Sequence, residues 1–96
     1  MGTGQSRPGL GVTYRIVLRP AAIRALRGIH PEDRDRIRGA LALLSRDPRP
    51  PGAKALRGRD ALRVRVGAYR IIYSVNDQEL IVLVVAVGHR RDVYRT

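Results

Sequence analysis

The amino-acid sequence predicts an α+β fold in which a small antiparallel β-sheet carries a helical hairpin on one face. Two stretches in the first half place apolar residues at helical spacing, whereas the second half contains three short stretches typical of strands, one alternating and the last apolar throughout. One more short strand precedes the helices, so the predicted order is β-α-α-β-β-β. In that order the two helices bury their apolar stripes against the sheet.

The first element follows a polar, glycine-rich start. Residues 1–12 show no periodicity and are predicted to form a flexible N-terminal tail, which leaves residues 13–96 as a single domain. From Tyr14 to Leu18, apolar positions alternate along a short strand.

Two helices follow this strand. Pro20 suits the first position of a helix, and Gly28 is expected to end it. The second helix begins near Pro31, carries acids in its first turn, where the helix dipole favours them, and stops by Asp47. The predicted buried stripes are Ala22, Ile23, Leu26 and Ile29 in the first helix and Ile37, Ala40, Leu41 and Leu44 in the second.

The remainder of the chain predicts three strands, at 62–66, 69–75 and 80–87. Gly67-Ala68 suits a two-residue hairpin turn with glycine first, and a second turn is expected at 76–79. The last strand is apolar on both faces, so we expect it to be central or covered on both sides.

The first hairpin sets a specific register. A turn at Gly67-Ala68 pairs Val66 with Tyr69 and places Arg65 directly opposite Arg70, with Arg63 two residues along on the same face. Like charges directly opposite each other destabilise a sheet. A sequence that keeps them there is therefore expected to hold a site for an anion.

The second hairpin extends this geometry. A turn centred on Asp77-Gln78 would pair Arg70 with Val85, and Gly88 would then lie beside the first turn. The chain would leave the sheet close to Arg65 and Arg70. The residues expected to converge there from the end of the chain are His89, Arg90, Arg91 and Tyr94.

Charge is the strongest signal in the composition. The formal net charge of +11 predicts attraction to a polyanion or to an acidic protein, although a merely solvated charged surface is the plain alternative. The absence of Cys excludes disulfides and thiolate metal sites and favours a cytoplasmic location. His30 and His89 lack the spacing of a zinc site, and the longest apolar run is too short to span a membrane. No metal or other cofactor is expected.

Three stretches resemble the RelE family of bacterial toxins, within the RelE/ParE superfamily. They are Leu56-Arg57-Gly58, the segment from Leu62 to Tyr73, and the segment from Val87 to Tyr94. The resemblance extends from Tyr14 to Arg95 with the elements in the same order, and it implies a RelE-like fold.

The resemblance also implies a function and a site. It implies the toxin of a type II toxin-antitoxin system, a ribosome-dependent endoribonuclease that cuts messenger RNA and inhibits translation. It further implies a cognate antitoxin that silences the toxin in a hetero-oligomer. The family's catalytic positions fall on Arg65, Arg70, Arg90 and Tyr94, and the expected RNA-binding residues are Lys54, Arg57, Arg63, His89 and Arg91.

The expected chemistry needs no metal. The 2′-hydroxyl of one nucleotide attacks the adjacent phosphorus, and fixed guanidinium groups of Arg65, Arg70 and Arg90 stabilise the charge that builds on the phosphoryl oxygens. Tyr94 is expected to stack on a base or to take part in proton transfer. His89 is a candidate acid or base, because histidine titrates near neutral pH, or else an ordinary exposed residue.

One departure from the family keeps two alternatives open. Some members have lysines where this chain has Arg63 and Arg65. Arginine stays charged in proteins, so these two residues are not expected to act as a base in the way that a lysine could. The alternatives are a ParE-like toxin that inhibits gyrase and a catalytically inactive homologue that acts as a binding module.

Overall fold

The predicted helices and strands are present in the computed structural model, which describes residues 12–89. In chain order the elements are β1 (Arg15–Leu18), α1 (Pro20–Arg27), α2 (Pro31–Arg46), β2 (Lys54–Ala55), β3 (Leu62–Val66), β4 (Tyr69–Asn76) and β5 (Ile81–His89). The five strands form one sheet in the order β1-β5-β4-β3-β2. The predicted α+β class is confirmed. All of the predicted tail except Val12 lies outside the described residues.

Both helices begin where the sequence predicts, for identifiable local reasons. Pro20 occupies the first turn of α1, and Gly28 caps its C-terminal end. The N-cap of α2 is His30, whose Nδ1 accepts a hydrogen bond from the backbone N–H of Glu32 at 3.2 Å. Glu32 and Asp33 lie in the first turn, where the positive end of the helix dipole stabilises their negative charges.

The core lies between the helices and one face of the sheet. Ala22 and Ile23 were both predicted in the buried stripe of α1. Ala22 is fully buried, whereas Ile23 is 38% exposed, because successive residues of a helix point about 100° apart. The buried cluster consists of Ala22, Ile29, Ile37, Leu41 and Leu44 on the helical side and Ile71, Tyr73, Val82, Val84 and Val87 on the sheet.

The sheet is mixed, because β1 pairs with β5 in parallel. The register runs from Arg15 opposite Ile81 to Leu18 opposite Val84. The prediction of an antiparallel sheet rested only on strands joined by hairpins. β1 and β5 are instead the first and last strands of the chain, and both helices lie between them in sequence. β5 is an interior strand between β1 and β4, as predicted. A further strand, β2, was not predicted, since its two residues carry no periodic signal.

The β3–β4 hairpin has the predicted register. Val66 pairs with Tyr69, Arg65 with Arg70, and Leu62 with Tyr73. Gly67 has φ +60°, a conformation that glycine adopts without the steric cost that a Cβ would bring.

The predicted register of β4 with β5 is wrong. Arg70 lies opposite Gly88, not Val85, because the turn lies one residue later than expected and one bulge interrupts the ladder. The connection occupies residues 77–80, so that Asn76 pairs with Ile81. A bulge at Val85 then shifts the pairing by one more residue.

Local hydrogen bonding explains the position of the connection. The Asn76 side-chain oxygen accepts a hydrogen bond from the backbone N–H of Glu79 at 2.9 Å, and Leu80 has φ +56°. This side chain closes a turn over residues 77–80, one residue later than the turn expected at 76–79.

The same turn is held to two other parts of the chain through Asp77. The Tyr14 hydroxyl donates to Asp77 Oδ1 at 2.6 Å, and the Arg49 guanidinium donates to both carboxylate oxygens at 3.1 and 2.9 Å. The hydrogen bonds from Arg49 and then from Tyr14 lower the pKa of Asp77. This cluster joins the start of β1, the loop after α2 and the β4–β5 turn.

Tyr73 supports the core with a buried polar contact. Its side chain is fully buried, and its hydroxyl donates a hydrogen bond to the Pro48 carbonyl at 2.7 Å. Burial raises the pKa of Tyr73 to about 12. The loop after α2 is thereby fastened to the central strand of the sheet.

We expect Tyr73→Phe to lower the free energy of unfolding by about 1–2 kcal/mol at neutral pH, because the buried Pro48 carbonyl loses its donor. The folded pKa of Tyr73 exceeds the ordinary value of 10.0. Its contribution is therefore complete below about pH 10 and is lost as pH rises through about 12. Urea denaturation at pH 7 to 11 measures both effects. Equal alkaline loss of stability in the parent and in Tyr73→Phe would contradict this assignment.

Candidate nucleic-acid interface

The sheet face that points away from the helices, here called the open face, carries a group of basic residues. Residues directly opposite each other in antiparallel strands share a face. Lys54 on β2 lies opposite Arg63, and Arg65 lies opposite Arg70, while the core residue Tyr73 points the other way. We call Lys54, Arg63, Arg65 and Arg70 the basic cluster.

The strands that carry the basic cluster, β2, β3 and β4, contain no acidic residue. Ile72 lies opposite Arg63 on the open face and is only 1% exposed, which places an apolar residue among the basic positions. Because ionic attraction strengthens as local polarity falls, and because arginine grips phosphate through a planar fork, this arrangement suits a phosphate group.

Arg57 is not part of the basic cluster. It is exposed in the turn between β2 and β3, at the end of β3 away from Gly67. The turn is closed by a hydrogen bond from the Leu56 N–H to the Ala61 carbonyl at 3.0 Å. Arg57 therefore lies outside the paired residues of β2, β3 and β4 that bring the other basic residues together.

His89 lies with Tyr69 instead of with the arginines. The chain was predicted to leave the sheet before His89, but β5 continues to this residue, and His89 pairs with Tyr69. Their ring centroids are 6.0 Å apart in an edge-on arrangement. Tyr69 packs against the core, so His89 occupies the face opposite that of Arg65 and Arg70.

The other predicted residues of the C-terminal segment, Arg90, Arg91 and Tyr94, lie outside the described residues. The described chain ends at His89, one position after Gly88, which lies opposite Arg70. In sequence, Arg90 comes two residues after Gly88, the residue that pairs with Arg70. The roles of these residues stay predictions.

Sequence reasoning missed two features of this face. The pairing of Lys54 with Arg63 depends on a strand of two residues, and the burial of Ile72 on the open face has no signal in the sequence. Within residues 12–89, no three His, Asp or Glu side chains come together to hold a metal ion. No helix in the same range is long and apolar enough to cross a membrane.

Comparison with known proteins identifies the family. The model of the family described as "ParE toxin of type II toxin-antitoxin system, parDE" matches residues 16–94. The chain belongs to this family. It is a type II toxin of the RelE/ParE superfamily, which confirms the resemblance seen in the sequence.

Individual relatives agree with this membership. The toxin is 41% identical over 54 residues to Toxin RelG of Mycobacterium tuberculosis, a match that covers 54% of this chain and 61% of that relative. The match therefore spans less than two thirds of the curated relative.

Solved structures resemble the toxin over a longer range. The RelBE2 toxin-antitoxin complex of Mycobacterium tuberculosis aligns with a TM-score of 0.73 and 29% identity, covering 82% of this chain and 100% of that chain. The intact RelBE complex of E. coli aligns with a TM-score of 0.71 and 26% identity, covering 79% and 95%.

The paired arginines of the open face should lower the free energy of unfolding of the toxin. Because Arg65 and Arg70 repel each other across the hairpin, we expect Arg65→Thr to raise the free energy of unfolding by about 0.5 kcal/mol at low ionic strength. The gain should shrink in about 1 M salt, where charges are screened within about 3 Å. Urea denaturation at both ionic strengths measures it. A variant that is less stable than the parent by the same amount in both conditions would contradict the repulsion.

Proposed function

We propose that this toxin is a metal-independent, ribosome-dependent endoribonuclease that cuts messenger RNA and so inhibits translation. The observation that carries the proposal is the pairing of Arg65 with Arg70 on the open face, with Arg63 two residues along. A like-charged pair that opposes sheet stability suits a bound phosphate better than it suits folding.

The proposed reaction is a transesterification. The 2′-oxygen of one nucleotide forms a bond to the adjacent phosphorus, and the bond to the 5′-oxygen of the next nucleotide breaks. The attacking 2′-hydroxyl loses a proton and the departing 5′-oxygen gains one, so the products are a 2′,3′-cyclic phosphate and a 5′-hydroxyl. Water is not consumed, and no metal is needed if fixed positive groups stabilise the phosphoryl oxygens.

Each basic residue has a separate role in this proposal. Arg65 and Arg70 stabilise the negative charge on the transferring phosphoryl group, and Arg90 completes the set from the segment after β5. Arg63 and Lys54 hold neighbouring phosphates of the message. Arg57 and Arg91 contribute longer-range attraction to RNA.

Tyr94 is the proposed aromatic residue of the site. A tyrosine ring stacks on a base that has been turned out of the message, or its hydroxyl takes part in proton transfer. We assign no chemical step to His89, because it shares the face of Tyr69 and not that of Arg65. It is left as a contact at the edge of the RNA.

The proposed partners follow from the same assignment. The ribosome orders the message, and a cognate antitoxin silences the toxin in a hetero-oligomer. The RelBE complexes to which the chain is similar support the second of these partners. A net charge of +11 favours an acidic segment on the antitoxin.

Inhibition of gyrase is the second candidate function, because the matching family is described by the name of ParE. A ParE-like toxin would not need the basic cluster for the cleavage of phosphodiester bonds. Incubation of the purified toxin with gyrase and supercoiled DNA distinguishes the two functions. We expect supercoiling activity to be unchanged.

We expect Arg65→Ala and Arg70→Ala each to lower the rate of message cleavage by about 10²–10³-fold, the usual cost of removing one group that stabilises a developing oxyanion. Lys54→Ala should instead weaken binding, with a smaller effect on the rate of the bound complex. Single-turnover cleavage of ribosome-bound message measures both.

Arg38→Ala is the matched control, since Arg38 is exposed on α2 and lies outside the basic cluster. Arg90→Ala and Tyr94→Phe complete the series. Equal cleavage rates for the parent, Arg65→Ala and Arg70→Ala would remove the proposed site. A toxin that cuts no message and does not inhibit gyrase would instead support the inactive homologue.

A further inference from the structure

Lys54 differs chemically from the other members of the basic cluster. It is the only lysine among the 19 lysine and arginine residues of the chain, and the chain contains no cysteine. Arginine stays protonated in proteins, so its guanidinium nitrogens are poor nucleophiles, whereas the amine of a lysine accepts an acyl group once it has lost a proton. Lys54 is therefore the one side chain of the toxin that forms a stable amide with an acyl donor.

The structure leaves the Lys54 amine open to such a donor. Lys54 is exposed on β2, the outermost strand at one edge of the described sheet. Its neighbours in the chain, Ala53 and Ala55, carry only methyl side chains and do not crowd the strand. Within residues 12–89, Lys54 makes no ion pair and no side-chain hydrogen bond. No carboxylate in that part of the chain covers its nitrogen.

The same amine belongs to the basic cluster. Lys54 lies directly opposite Arg63, which puts their Cβ atoms about 5 Å apart on the open face. Arg65 follows two residues along β3, about 7 Å further. A loss of charge at Lys54 therefore acts on the part of the open face to which we assign the phosphates of the message.

We propose that Lys54 is an acylation site for an acyl thioester, and that its acylation weakens the binding of RNA to the basic cluster. The second half of this inference rests on the proposed function, in which Lys54 holds a phosphate of the message. Acylation removes one positive charge and leaves a single N–H donor where the ammonium group had three. The modification thus regulates the RNA-binding face without a partner protein bound to it.

The reaction is an acyl transfer to nitrogen. The neutral Nζ of Lys54 attacks the carbonyl carbon of the thioester, a C–N bond forms, and the C–S bond breaks. The nitrogen loses a proton in this step, and the departing thiolate gains one. The products are an amide at Lys54 and a free thiol, and neither an oxidant nor a reductant is needed.

The first experiment tests the site itself. Full-length toxin is incubated with acetyl-coenzyme A, and acetylation at each position is followed by mass spectrometry. The reference is a peptide of residues 52–56 with a blocked N-terminus, whose lysine has no folded surroundings. We expect Lys54 of the toxin to react no more than about ten-fold more slowly than the peptide, because a larger loss needs a protecting interaction of about 1.4 kcal/mol, as strong as a typical hydrogen bond. A slower reaction would overturn the site.

The second experiment tests the consequence for RNA. Binding of a short oligoribonucleotide is measured by fluorescence anisotropy at several salt concentrations, before and after acetylation. We expect acetylation of the parent to weaken binding and to reduce the slope of log K against log salt by about 0.7, the value for one phosphate contact of a single strand. Untreated Lys54→Gln, which lacks the charge, should bind as weakly as the acetylated parent.

Lys54→Arg is the matched control, because it keeps the positive charge and does not form the amide. Acetylation of the N-terminal amine occurs in both proteins, so the loss of binding in the parent should exceed the loss in Lys54→Arg. Equal losses in the two proteins would overturn the proposal, since the charge at Lys54 would then not contribute to RNA binding.

Message cleavage is scored separately, in single-turnover reactions with ribosome-bound message. A toxin that cuts no message but loses RNA binding when Lys54 is acetylated keeps this inference and removes the proposed function. A toxin that cuts message, and whose RNA binding is unchanged by acetylation at Lys54, removes this inference alone.

Discussion

The two-residue turn at Gly67-Ala68 is the constraint on which the open face depends. A slip of one residue in the β3–β4 register would move Arg65 to the helix face and bring Val64 or Val66 out to solvent. Gly67 prevents the slip because its positive φ allows the tight turn that joins Val66 directly to Tyr69. One turn thus determines both that the apolar side chains of β3 point to the helix face and that its arginines point to the open face.

The sequence predicts what local chemistry specifies. Glycine in a two-residue turn between alternating strands determined the partner of Arg65, and the prolines at 20 and 31 determined the helix starts. Long-range pairing was not accessible in the same way. Nothing near Arg15 reveals that it will lie beside Ile81, and a bulge at Val85 leaves no mark in a uniformly apolar strand.

The errors about the site follow from those about the sheet. Because β5 extends to His89 after the bulge, this residue meets Tyr69 on the helix face, although proximity in sequence to Gly88 suggested the open face. Lys54 joined the basic cluster through a strand too short to predict.

The two faces of the sheet divide folding from function. One face supplies the core through Ile71, Tyr73 and their neighbours. The other gathers repelling guanidinium groups beside partly exposed aliphatic side chains, features that an isolated domain does not require for stability.

A structure of the toxin on a ribosome, with a message whose 2′-hydroxyl at the cut site is methylated, tests the central claim most directly. The account predicts that the guanidinium groups of Arg65 and Arg70 both lie within hydrogen-bonding distance of the phosphate that would be cut. A message that runs along the helices, or that meets only one of these two arginines, would contradict it.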